Sequence, residues 1–141
     1  MKIVETNLVG QEFPFDLLDS VLHEIGFNRG SMFEYDWAAY DYTLKSSKID
    51  EYMYLRIFTR ATAGVIERSH CTVMISDVFI TGARYHEGLD YNKEIDRNSI
   101  DRSRELVREV ANRLKVTEKV EINMRDASAA DCEVRSGVRP V

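Results

Sequence analysis

The sequence predicts an α+β fold, an antiparallel β-meander of four to five strands with two helices packed on one face. Three observations predict it. Helical periodicity is confined to two segments, one near each end, at about 14 to 25 and from about 94 or 99 to 115. Between them lie strand-like segments divided by polar or glycine-containing turns. The resulting order, β-α-β-β-β-(β)-α, groups strands together instead of alternating them with helices. Two helices side by side span roughly 20 Å, the width of four or five strands, so they can cover one face only.

Each element has its own signal. Lys2 to Val9 is a strand in which Val4, Thr6 and Leu8 share a face and Ile3 lies on the other; Gly10-Gln11-Glu12 then turns the chain. Pro14 suits the first turn of a helix, and Asp16 and Asp19 sit where the helix dipole favours negative charge. Leu17, Leu18, Val21, Leu22 and Ile25 form its apolar stripe, Gly26 stops it, and Phe27 folds back onto Leu22.

From Ser31 to Arg60 the chain reads as an aromatic hairpin. Phe33, Tyr35 and Trp37 share one parity, Tyr40, Tyr42 and Leu44 the other, so the apolar face changes phase. A β-bulge at Ala38-Ala39 or a tight turn there accounts for the change. The strand 51 to 60 is apolar on both sides, with Met53, Leu55 and Ile57 on one and Tyr52, Tyr54 and Phe58 on the other, as in a central strand covered twice. Val65 to Ile75 reads as a further strand, Val78 to Thr81 as a short edge strand, and Gly82 to Asn92 as a long loop. Asn98 or Ser99 caps the second helix. Its core face is Ile100, Val107, Val110, Ala111 and Leu114, flanked by Leu106, and its wet face carries the pairs Asp101–Arg104, Glu105–Arg108 and Glu109–Arg113. Val120 to Met124 alternates like one short strand.

The 141 residues make one α+β domain over 1–115 and a C-terminal extension over 116–141, one short strand followed by a loose tail. A net charge of −5 without a Lys/Arg-rich run argues against nucleic-acid partners. Cys71 and Cys132 are too few for a disulfide framework and fit a reducing compartment. There is no apolar h-region at the N-terminus and no run of membrane-spanning length, so a cytoplasmic protein is expected, away from membranes.

Candidate chemistry is sparse. Adjacent strand residues His70 and Cys71 point to opposite faces, and His86-Glu87 lacks the i, i+4 partner of a helical zinc motif, so no metal site is expected. No Gly-x-Ser-x-Gly elbow or phosphate loop is present, no catalytic residue is assigned, and no cofactor is expected. Arg56 shares a face with Tyr54 and Phe58, and the loop can bring Tyr85, His86 and Tyr91 to the end of the sheet. An arginine among aromatics suits a planar anion. The competing expectation pairs Arg56 with a carboxylate such as Asp41 on the neighbouring strand. Because the helices cover one face only, Tyr52, Tyr54 and Phe58 call for another cover, and a second copy of the chain is expected to supply it. Shelter under the chain's own loops is the alternative.

Several short stretches carry a family resemblance: Gly26-Phe27 with Arg29-Gly30, Tyr35, Tyr40-Asp41, Tyr54-Leu55-Arg56, Tyr85 with Gly88-Leu89-Asp90-Tyr91, and a charged helix near the end. In their order and spacing, over roughly residues 1 to 115, the chain resembles the YugN-like family of small bacterial proteins. The tail beyond the last helix and His86-Glu87 lie outside that pattern. The resemblance implies an α+β fold in a cytoplasmic bacterial protein and brings no activity, cofactor or catalytic residue with it. The functional expectation is therefore a homodimeric binding domain without catalysis, taking a partner protein or a small ligand. A small enzyme or anion-binding protein with its site under the Tyr85–Tyr91 loop is the alternative.

Overall fold

The computed structural model describes residues 1–46, 51–84, 88–90 and 94–127. Its strands are β1 (Lys2–Thr6), β2 (Glu12–Pro14), β3 (Trp37–Ser46), β4 (Glu51–Ala63), β5 (Thr72–Arg84), β6 (Gly88–Asp90) and β7 (Ile122–Asp126), and its helices α1 (Phe15–Ile25) and α2 (Arg97–Arg113). The main path of the sheet has five strands in the order β3-β4-β5-β1-β7, with β2 and β6 paired to the two ends of β5. Every pairing between these strands is antiparallel. The fold is α+β, and both helices join one core with Met53, Leu55 and Ile57 of β4.

Pro14 precedes α1 at φ −56, where its missing N–H costs nothing. The buried stripe is Phe15, Leu18 and Leu22 with Val21, while Leu17 stays 44 % exposed. The i, i+3, i+7 spacing from Phe15 centres the stripe one residue away from the expected position. Gly26 closes the helix at φ 123, a conformation side chains avoid, and a Cβ there would stand 3.1 Å from the Tyr42 ring. The Phe27 amide then donates to the Leu22 carbonyl at 2.9 Å, and the ring is buried.

The sheet corrects four expectations. Residues 33–36 are a turn, not strand: the Glu34 amide donates to the Trp37 carbonyl at 2.9 Å, and Phe33 bridges back to Ala38. The parity of Phe33 and Tyr35 therefore says nothing about a face, and β3 needs no bulge at Ala38-Ala39. Its register with β4 runs unbroken from Trp37↔Arg60 to Thr43↔Tyr54 and shifts only between Thr43 and Lys45. Second, β5 is one strand of 13 residues that absorbs both the end of the expected 65–75 strand and the expected edge strand at 78–81. Phe58 faces Asp77 while Thr59 faces Ile75, so Ser76 is the extra residue. That bulge keeps Val73, Ile75, Val78 and Ile80 all in the helix-side core although their parity changes. The segment Val65 to His70 is instead a turn, with Glu67 at φ 67 and His70 at φ 63.

Third, part of the expected Gly82 to Asn92 loop is ladder, with Gly82↔Asp90, Ala83↔Leu89 and Arg84↔Gly88 in register. Fourth, α2 is capped by Asp96, whose carboxylate accepts from the Ser99 amide at 3.2 Å and the Ser99 hydroxyl at 2.8 Å. Of the three ion pairs expected on this helix, Glu109–Arg113 forms at 3.2 Å, while Arg104 donates to the Ile122 carbonyl at 3.0 Å. Beyond residue 115 the sheet continues. β7 pairs with β1 from Lys2↔Asp126 to Thr6↔Ile122.

Candidate functional site

Strand alternation divides β4 between two environments. Met53, Leu55 and Ile57 enter the core beneath the helices, whereas Tyr52, Tyr54, Arg56, Phe58 and Arg60 fall on the other side. The register sets Asp41 opposite Arg56 on β3 and Phe79 opposite it on β5. Arg56 Nε donates to Asp41 Oδ1 at 2.7 Å and Nη2 to Oδ2 at 2.8 Å, a two-pronged pair that is nearly buried. Burial, then the Asp41 charge, raises the Tyr54 hydroxyl pKa above its ordinary value. Tyr52 and Tyr54 stack at 6.1 Å with planes 7° apart. Trp37 stacks on Phe58 at 5.4 Å, and the Arg60 guanidinium lies 5.3 Å from the Phe58 ring.

Tyr52, Tyr54, Arg56 and Phe58 therefore share one face, as their parity predicts. Phe58 is only 1 % exposed within a single chain, so it does not wait for a partner to cover it; Trp37, Tyr52, Tyr54 and Arg60 remain half-buried. Tyr85, His86 and Tyr91 lie outside the described residues.

A second polar cluster, absent from the sequence expectations, joins α1 to the turns beside it. The Asn28 and Asp41 backbones bond each other at 2.8 and 3.0 Å, which fixes the connection after α1 against β3. Arg29 thereby lies over α1, where its Nε donates to Asp19 Oδ1 at 3.0 Å. The fully buried Tyr40 donates to the same oxygen at 2.6 Å. Arg29 Nη2 reaches Glu67 Oε1 at 2.7 Å, and the guanidinium sits 4.6 Å from the Phe33 ring centre and 5.7 Å from that of Phe15. Burial, then the Asp19 bond, pushes the Tyr40 hydroxyl far above its ordinary 10.0. The helix-dipole reading of Asp19 hid this role. The sequence signal that remained was the tyrosine at position 40 among core residues, because a buried hydroxyl needs a partner.

The other reactive groups are quiet. Cys71 is buried, and burial followed by Asp16 raises its thiol pKa. His70 is exposed in the turn before β5. Among the described residues no three His, Cys, Asp or Glu side chains converge as a metal site would require, and no helix is long and apolar enough to cross a membrane. A groove of about 370 Å³ opens at the start of α2, lined by Leu44, Lys45, Asp96, Asn98, Ser99 and Arg102.

Comparison with known proteins places this geometry. The model of the YugN-like family matches residues 3–102, from β1 into α2. The chain belongs to the YugN-like family. The match spans both polar clusters, Asp19, Arg29, Tyr40 and Glu67 as well as Asp41 and Arg56. Among its relatives, the uncharacterized protein YlbA of Bacillus subtilis (strain 168) is 25% identical over 120 residues, covering 84% of this chain and 98% of YlbA. The crystal structure of the uncharacterized conserved protein YugN from Geobacillus kaustophilus HTA426 superposes with a TM-score of 0.66 at 18% identity, covering 77% of this chain and 90% of that one. At that identity the likeness speaks for the fold alone. The family match and the superposition thus agree on one α+β architecture.

Proposed function

We propose that this chain is a binding domain without catalytic activity, and that the sheet face opposite the helices docks a second copy of it. The observation that carries the reading is the asymmetry of cover. Both helices lie on one side, and the other side keeps a stripe of half-buried Trp37, Tyr52, Tyr54 and Arg60 along β3 and β4. At the Trp37 end the stripe runs into Tyr35, 78 % exposed, and Val65, 37 % exposed, on turns joined by the bond from the Ile66 amide to the Tyr35 carbonyl. Stacked aromatic pairs with one polar end are what interface cores favour.

A second copy suits this face because its charges balance. The face carries Arg56 opposite Asp41, with Arg60 on β4 and Asp77, opposite Phe58, on β5, two charges of each sign, so an isologous contact brings no net like charge together. Arg56 commits two donors to Asp41 and is not offered to a small anion, which weakens the alternative of a site under the 85–91 loop. A cytoplasmic setting accords with a chain of only two cysteines, too few for a disulfide framework.

Light scattering on the eluting full-length protein tests the reading. The expected result is a dimer mass for the natural sequence and a monomer mass for Tyr52→Glu/Tyr54→Glu, with the far-ultraviolet circular dichroism of the two unchanged. A natural sequence that elutes as a monomer throughout, or a double variant that stays dimeric, overturns it.

A further inference from the structure

The Arg29 cluster has the form of an occupied binding site. Its guanidinium is fixed on three sides: Asp19 holds Nε at 3.0 Å, and the Phe33 and Phe15 rings flank it. The end-on edge, Nη1 with Nη2, is the one that grips a carboxylate with two parallel bonds. Here that edge is only half used. Glu67 Oε1 takes Nη2 at 2.7 Å, while Nη1 is buried and has no hydrogen-bond partner among the described residues. A buried unsatisfied donor is costly, and native structures rarely leave one without a reason.

The group that half fills the edge is also held oddly. Glu67 has φ 67, a left-handed conformation that a non-glycine residue adopts at a cost. Its side chain is 46% exposed against 12% for Arg29, so the fixed partner is the arginine and the replaceable one is the glutamate. The turn that carries Glu67 has a second left-handed residue in His70 and an exposed Val65.

From this we infer that Arg29 is a binding site for a small carboxylic acid, with Glu67 standing in for the ligand until the ligand displaces it. The incoming carboxylate takes Nη2 from Glu67 and supplies the partner that Nη1 lacks, while Nε stays on Asp19. Phe15 and Phe33, the rings beside the guanidinium, form apolar walls for a carbon skeleton, a contact that inorganic phosphate cannot make. This inference uses other side chains than the dimer face does: Arg29, Glu67, Phe15 and Phe33, not Tyr52 and Tyr54, while the turns that carry Phe33 and Glu67 also carry Tyr35 and Val65.

Acetate is the probe, titrated into full-length protein while the backbone amide signals of Phe33, Ile66 and Glu67 are followed by NMR. Three proteins are compared: the natural sequence, Glu67→Gln and Arg29→Lys. Glu67→Gln removes the competing charge of a partly exposed ion pair and is expected to tighten acetate about fivefold. Arg29→Lys keeps the charge but not the fork and is expected to abolish the saturable shift. Equal affinity in the natural sequence and Glu67→Gln, or no saturable shift in either, overturns the proposal. So does inorganic phosphate binding as tightly as acetate, since the fork grips both and the apolar rings then select nothing. Glu67 is exposed, so its variant folds and the comparison stands even where Arg29→Lys does not.

Discussion

At the scale of single residues, the structure joins groups that sequence distance keeps apart. Asp19 accepts from both Tyr40 and Arg29, and these two bonds tie α1 to β3 and to the connection between them. The Tyr40 hydroxyl bonds a charged acceptor, a kind of bond worth about 1.5 to 3 kcal/mol, and the 22% exposure of Asp19 argues for the lower end. Tyr40→Phe is therefore expected to cost about 1.5 kcal/mol, or roughly 5 °C in melting temperature. The same bond sets an alkaline limit. Because burial and Asp19 raise the folded pKa above the ordinary 10.0, the contribution is complete below pH 10 and is lost as pH rises from there towards the folded value. Thermal melts between neutral and strongly alkaline pH check both effects. The gap between the natural sequence and Tyr40→Phe should be constant up to about pH 10 and shrink above it. A gap that widens instead gives Tyr40 the opposite linkage.

At the scale of elements, what was legible followed from periodicity and what was not followed from pairing. The α1 limits, the two faces of β4 and the core face of α2 were written in the 3.6 and 2 residue periods of the chain itself. The bulge expected at Ala38-Ala39 is absent. The phase change from Val73 and Ile75 to Val78 and Ile80 marks the true bulge at Ser76, while Phe33 and Tyr35 mimicked one because a turn can carry aromatics in any parity. Arg56 with Asp41 could be anticipated because neighbouring strands pair in order; Arg29 with Glu67 could not, since no local pattern says which turns meet. The cap of α2 was missed because Asp96 lies outside the periodic run. Burial opposes ionisation of Asp96, yet the Ser99 hydroxyl and amide outweigh it and lower the pKa below the ordinary 3.8. The cap is thus fully effective above pH 3.8 and is lost as pH falls through the lowered folded value. Asp96→Ala is expected to cost about 1 kcal/mol near neutrality. In melts taken at decreasing pH its deficit should vanish only below the usual carboxylate range. A deficit that is unchanged in acid would mean that some group other than the Asp96 carboxylate caps the helix.

At the scale of the whole molecule, the question is where the cooperative unit ends. The sequence places the domain boundary at 115, while the sheet runs on to Asp126. All five residues of β7 pair with β1. Ile122 and Met124 pack against the main core, and Arg104 of α2 donates to the Ile122 carbonyl. The link to β1 is reinforced from the connection before it: Asn7 donates to the Lys119 carbonyl at 2.8 Å and accepts from the Glu121 amide at 3.0 Å. Lys2–Asp126 at 2.7 Å and Arg125–Glu5 at 2.6 Å add exposed ion pairs of small worth. Removing this strand turns β1 into a sheet edge and uncovers the apolar surface under two side chains, a loss of about 3 kcal/mol. Two truncated chains isolate the effect, one ending at Lys115 and one at Ala127, since they differ by β7 and its connection alone. The shorter is expected to melt on the order of 10 °C below the longer and to aggregate through the exposed β1 edge. Two chains that melt together would return the boundary to residue 115 and make β7 a strand laid onto a sheet that is stable without it.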